Sequence, residues 1–201
     1  MAVPEHRRLQ HEAVRTEARA QRSLFAGDCA QAQDEFSAAI ELYKQSYEIA
    51  PPGATGRLIG LLKASVIGAT AELESVAYAK RHLRHEDDDP PRAYAFAICR
   101  LIDGADEGLP EYVDAMRPGS PPFGRAATAI EALGRRSAKS YADAVAAIVH
   151  DFEGRRHHVT KVPIADTALM LEIFARRRGI AAHPSSPLLP APCPGGAQGH
   201  A

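Results

Sequence analysis

Residues 141–180, YADAVAAIVHDFEGRRHHVTKVPIADTALMLEIFARRRGI, constrain the fold more than any other part of the chain. In the second half, Ile164, Ala165, Ala168, Leu169, Met170, Leu171, Ile173, Phe174 and Ala175 cover almost every direction around a helical axis. Only Asp166, Thr167 and Glu172 interrupt them. A helix that is apolar all round must be buried between other elements, and this one falls short of the roughly 20 apolar residues of a membrane span. Its predicted start is near Pro163, whose missing N–H costs nothing at a first helical position. Arg176, Arg177 and Arg178 complement the negative helix end, Gly179 supplies a left-handed stop, and Ile180 follows for the usual hydrophobic contact. In the first half, Tyr141, Ala144, Val145, Ile148 and Phe152 fall on one helical face. Ser140 with Asp143 predicts its start, and Gly154 weakens its end. A buried helix needs a shell, which the rest of the chain has to supply.

The preceding residues read as more helix. Leu9, Ala13, Val14, Ala18, Ala20, Leu24 and Phe25 predict an amphipathic helix over 5–25. Gly27 then stops it, and Asp28 with Gln31 resembles a capping box opening the next helix. That helix carries Ala32, Phe36, Ala39, Ile40, Tyr43 and Tyr47 on one face and ends before Pro51. A long helical pattern runs over 55–84, bent or broken near Gly68, with Gly60 and Gly68 as small faces for close packing. The run 85–91, HEDDDPP, is a loop. Tyr94, Ala95, Ala97, Ile98, Leu101 and Ile102 mark a helix stopped by Gly104. A short segment with Leu109, Tyr112, Val113 and Met116 follows, and then a helix over 123–133. No strand-like alternation is visible. The expected fold is all-α, an antiparallel array of about seven helices. It forms one domain over 1–184, followed by a Pro/Gly-rich tail over 185–201 that is disordered except where Leu188 and Leu189 pack.

Gly27, Ala32, Phe36 and Ala39 resemble the second half of a tetratricopeptide-type hairpin, with its spacing of glycine, small, aromatic and small residues. The first half of that signature, a tryptophan and a Leu-Gly pair, is missing. The physical logic holds on its own: small residues let two helices approach while an aromatic fills the groove.

Charge narrows the partners. With 24 basic and 25 acidic residues and a net charge of −1, the chain has no global field for nucleic acid or an anionic membrane, and neither partner is expected. The three cysteines, Cys29, Cys99 and Cys193, are widely spaced, which favours a reducing compartment over a disulfide framework. No apolar stretch follows the first ten residues to form a secretion signal, so a cytoplasmic protein is expected. No GxSxG, P-loop, dinucleotide fingerprint or HExxH occurs, and no enzyme activity or cofactor is assigned.

Three clusters remain. His150, Glu153 and His157 would share one side of a continuous helix and could point at one ion, although Gly154 interrupts that continuity and no second helix offers matching ligands. The commoner role of such residues is a solvated face opposite Ile148 and Phe152. His82, His85 and the acids at 86–89 could meet a divalent ion, but the spacing of a calcium loop is absent. That loop suits an acidic edge steering a basic partner better. Arg155, Arg156, His157, His158 and Lys161 form a basic link between the two helices of the 141–180 hairpin. Cys99, beside Ala97 and Ile98, reads as a small core residue.

The order of a helix with Tyr141 and Ala144, an apolar helix at 169–175, then Arg178, Gly179 and Ile180, and Ser-Pro-Leu-Leu-Pro at 186–190 resembles a family. It is similar to the all-helical immunity proteins of bacterial polymorphic-toxin systems. The resemblance covers about the last quarter of the chain, and implies a protein that binds and neutralises a partner toxin. The expected function is therefore a non-enzymatic helical-repeat module binding another protein, through Asp87, Asp88, Asp89, Arg155, Arg156 and His158. The alternative is a helical-bundle metal or small-molecule binding protein using His150, Glu153 and His157. Self-association into a homo-oligomer stays open, because it needs the same kind of exposed apolar patch as a foreign partner.

Overall fold

A computed structural model describes residues 3–83 and 89–191. Nine α-helices and one 3-10 turn occur among them, with no strand: α1 (Glu5–Phe25), α2 (Cys29–Glu48), α3 (Thr55–Ile67), α4 (Glu72–His82), α5 (Pro90–Asp103), the turn Asp106–Gly108, α6 (Leu109–Met116), α7 (Pro121–Gly134), α8 (Ala138–Glu153) and α9 (Asp166–Arg177). The all-helical expectation holds. The extra helices come from the break in the 55–84 pattern and from the short α6.

α1 and α2 form the most extensive helix pair. Their turn uses Gly27 at φ 75°, and Asp28 accepts a hydrogen bond from the Gln31 backbone N–H at 3.1 Å, the cap the sequence predicts. Ala32, Phe36 and Ala39 are all fully buried. Phe36 lies so close to Gly68 that an added Cβ there would meet it at 2.6 Å. That contact explains the glycine; the chain leaves the helix after Ile67, and Ala69 and Ala71 take φ 48° and 51° before α4 begins.

α3, α5 and α9 supply the most enclosed surfaces. Leu58, Leu61 and Leu62 on α3, Ala95, Ala97 and Ile98 on α5, and Met170, Leu171 and Phe174 on α9 are essentially inaccessible. Each such leucine contributes about 1.5–3 kcal/mol relative to exposure. α9 packs on α3, α7 and α8, and α3 also packs on α2, α4 and α5. Because α9 returns to α3, the array closes on itself. The C-terminal stop of α9 is as expected: Gly179 has φ 71°, and the Ile180 N–H reaches the Ala175 carbonyl at 3.0 Å.

Four helix starts differ from expectation: α5 begins at Pro90, inside the expected 85–91 loop, α7 begins at Pro121 rather than 123, and α8 and α9 also shift. α8 begins at Ala138, with Ser137 as its cap residue bonding to Ser140 rather than Ser140 capping directly. α9 begins at Asp166, not near Pro163. The Ala165 N–H donates to the Leu188 carbonyl at 2.9 Å, so the chain entering α9 is held by the C-terminal segment instead of continuing the helix backward. Leu188 and Leu189 pack against the core and Pro190 is buried, so the body extends past 184 to at least 190.

Cys99 is fully buried, and burial pushes its thiol up to about 12. Cys29 is not a free thiol, and Cys193 lies outside the described residues. No described helix is long and apolar enough to cross a membrane.

Candidate functional site

Polar residues on otherwise apolar helix faces define the site. On α1, Glu17 and Gln21 share the buried stripe of Ala13, Ala20 and Leu24. On α3, Lys63 stands among Leu61, Leu62, Ala64 and Val66. At the start of α9, Asp166 and Thr167 precede the apolar run. These three places converge on one cleft of about 700 Å³. Its remaining walls come from α7, α8 and the link over 154–165.

The inner wall is a connected polar chain. Tyr43 on α2 donates its hydroxyl to Glu17 Oε2 at 2.6 Å, and Gln21 Nε2 donates to Glu17 Oε1 at 3.1 Å. Thr160, from the link, donates to Gln21 Oε1 at 2.6 Å. Tyr43 reaches Glu17 because α3 has Gly60 beneath its ring, where a Cβ would stand 2.8 Å from the ring edge. Lys63 bonds to Asp166 and donates to Thr167 Oγ1 at 3.0 Å.

Burial raises the Glu17 carboxyl to about 7. The Tyr43 hydrogen bond opposes that shift, nearby Asp166 adds to it, and Lys63 and Gln21 offset part of it. Burial also penalises the Lys63 charge, but Asp166, Tyr94 and Glu17 outweigh it and leave the ammonium above its ordinary value. At neutral pH the wall therefore holds a carboxyl near its midpoint beside a fixed ion pair. Such a perturbed carboxyl inside a cleft is a hallmark of functional sites.

The rim is built differently. Arg125 of α7 bonds to Asp151 Oδ1, and Arg155 donates to Asp151 Oδ2 from Nε at 3.1 Å and Nη2 at 2.6 Å. Burial works against the Asp151 charge, and the Arg155 and Arg125 guanidiniums outweigh it, holding its carboxyl below the usual range. The Arg155 guanidinium lies 3.7 Å from the centre of the Phe152 ring. His158 also packs near that ring, centroids 6.2 Å apart, with a buried Nδ1 that has no hydrogen-bond partner.

Of the residues singled out in the sequence, Arg155 and His158 line this cleft, while Arg156 is exposed beside it. Asp89 is at the start of α5, where its carbonyl accepts the Arg92 and Ala93 N–H groups; it is not part of the cleft lining. Asp87 and Asp88 lie outside the described residues, as do His85 and Glu86. His82 packs its ring on Tyr78 and Tyr47, at 4.6 and 5.1 Å.

The metal alternative on His150, Glu153 and His157 loses its geometric basis. α8 ends at Glu153, so His157 no longer shares a helical face with the other two, and Glu153 instead accepts from Ser186 at 2.8 Å. No group of three potential ligands able to hold a metal occurs among the described residues.

Sequence reasoning missed Glu17, Tyr43, Lys63 and Asp166 as a group. The available signal was the polar interruption itself: Glu17 and Gln21 on an alanine-leucine stripe, Lys63 in an apolar helix, and Asp166 with Thr167 at the head of another. No protein-family model, curated protein or solved structure matches the chain.

Proposed function

We propose that this chain is a small-molecule-binding helical domain whose ligand occupies the cleft between the α1–α3 wall and the α7–α8 rim. The observation that carries this reading is the placement of buried Glu17 and of the partly accessible Lys63 and Asp166 along a cleft of about 700 Å³. That volume lies in the range of small-ligand sites, which combine apolar walls with a few placed polar groups. Here Val14, Ile59, Ile148 and Ile164 supply the apolar part. The small-molecule half of the sequence-based alternative is kept, on different residues.

Gly56 offers a clean test. It lines the cleft at the first turn of α3, and an added Cβ would meet nothing within 4 Å. Gly56→Phe should therefore fill the cleft while improving local helix propensity by about 0.5 kcal/mol. The full chain is incubated with a cellular low-molecular-mass extract and examined by native mass spectrometry. A mass retained by the wild type and lost in Gly56→Phe is expected. No retained mass, or equal retention by both, would overturn this reading.

The protein-partner function, of the immunity-protein kind, remains a second proposal with its own support. Val159 is 85% exposed at the cleft rim, flanked by exposed Arg156, His157 and Lys161. A hydrophobic tip within a basic surround suits a docking contact. Co-purification of a second, different chain that is lost in Val159→Asp would favour it, whereas a bare chain would count against it.

A further inference from the structure

We propose that the cleft takes an oxyanion-bearing small molecule, its carboxylate or phosphate at the Arg125–Arg155 rim and a hydrogen-bond donor at the Glu17 end. The assignment rests on the small-molecule reading above and adds the ligand's chemical class.

The two ends of the cleft differ in charge balance. At the inner end Lys63 is matched by Asp166, so the pair offers no surplus charge. At the rim two guanidiniums share the single carboxylate of Asp151. One positive charge there is unmatched by Asp151, and it stands in a partly desolvated site where it acts more strongly than in water. Arg155 uses only Nε and Nη2, and Arg125 only Nη2, in hydrogen bonds among the described residues. The free N–H edges remain for a ligand. Stacking on Phe152 fixes the plane of Arg155, and a pre-oriented guanidinium suits the flat, two-point recognition of a carboxylate or phosphate.

His158 is an independent pointer to the same place. Its buried Nδ1 has no partner, and leaving such an atom unsatisfied is unfavourable. The residue lines the cleft beside Phe152 and Arg155, so a side chain with an unmet hydrogen bond stands at the rim. At the far end the Glu17 oxygens already accept from Tyr43 and Gln21. A ligand group arriving there does best as an uncharged donor such as an hydroxyl.

The test uses inorganic phosphate, n-butyrate and n-butylamine as probes, titrated calorimetrically into the full chain. At least one anion is expected to bind and the amine is not. Phosphate alone points to a phosphorylated ligand, and butyrate alone to a carboxylic acid. Arg125→Gln should weaken the anion roughly tenfold, the loss of one charge-assisted hydrogen bond. Asp151→Asn should tighten it, because the competing carboxylate charge is gone; a merely structural role for Asp151 predicts no gain. Failure of both anions to bind wild type and Asp151→Asn overturns the proposal, as does butylamine binding in their place. Anion binding that survives both Arg125→Gln and Gly56→Phe marks an adventitious ion only, and overturns it equally. If the anions fail while the extract still yields a molecule lost in Gly56→Phe, the oxyanion assignment falls and the small-molecule reading stands.

Discussion

The two ends of α9 each carry an ion pair to a distant part of the chain, and the two are built for different ends. At the C-terminal end, the Arg178 guanidinium is packed away: its side chain is 6% accessible. It bonds to both Asp106 oxygens, to the Leu101 carbonyl at 3.2 Å and to the Phe174 carbonyl at 3.3 Å. Nearby, Arg177 grips Glu72 with two bonds of 2.7 and 2.6 Å. At the N-terminal end, Asp166 and Lys63 form a comparable pair, but it faces a cleft. A charge whose every nitrogen is held by protein is a strut. A charged wall beside open volume is available to something else, and that distinction separates scaffold from site here.

Deleting one partner at each end should break the symmetry between them most sharply. Arg178→Ala leaves Asp106 without its guanidinium and two carbonyls without donors, and should cost about 3–5 kcal/mol, the usual penalty for splitting a buried pair. Urea unfolding of the variant measures it, and a loss below 1 kcal/mol would remove the strut assignment.

The next effect is a pH dependence confined to the cleft end. Glu17 titrates near 7 when folded, against about 4.5 for an ordinary glutamate. Between those values the folded chain holds a proton that the unfolded chain has released, so stability declines as pH rises from about 4.5 through about 7 and then levels off. The full span is up to about 3 kcal/mol for this one group. Glu17→Gln should flatten that part of the wild-type profile, read by unfolding at pH 5 and pH 8. Parallel profiles in the two proteins would show that the carboxyl does not titrate there.

Lys63→Met should be the mildest of the three. Asp166 loses its ammonium, yet the cleft lets water reach the carboxylate, and the cost should be only about 1 kcal/mol. A loss matching that of Arg178→Ala would make the cleft end as much a strut as the other.

How much of this could be read from the sequence follows the same division. Local features were legible: the face of Tyr141, Val145 and Ile148, the Asp28 cap, the break at Gly68 and the stop at Gly179 each depend on residues within a turn or two. The start of α9 was not, because it is decided by a backbone bond from Ala165 to Leu188. The site escaped for the same reason. Glu17, Tyr43, Lys63 and Asp166 stand on four different helices, and no short-range pattern unites them. Read helix by helix, Glu17 is one acid among several on α1, and Arg155 and His158 belong to a basic link. Yet Asp166, Thr167 and Glu172 were visible as the only polar breaks in the most buried helix, and all three have long-range partners: Lys63 for the first two, and the Ala182 and His183 N–H groups for Glu172. Polar breaks in a buried pattern lead to the inner wall, and two members of the basic cluster, Arg155 and His158, lie at the rim.

The separation between these partners also sets an order for biosynthesis. Thr160 meets Gln21 across 139 positions and Lys63 meets Asp166 across 103. A ribosome making this protein finishes the α1–α2 hairpin early, while its Glu17 wall still lacks a facing surface. Only when Leu188 emerges to hold Ala165 can the far wall lock. A prematurely terminated chain would carry the wall and no chamber, so the complete cleft is confined to translation products that run essentially to the end of the described body.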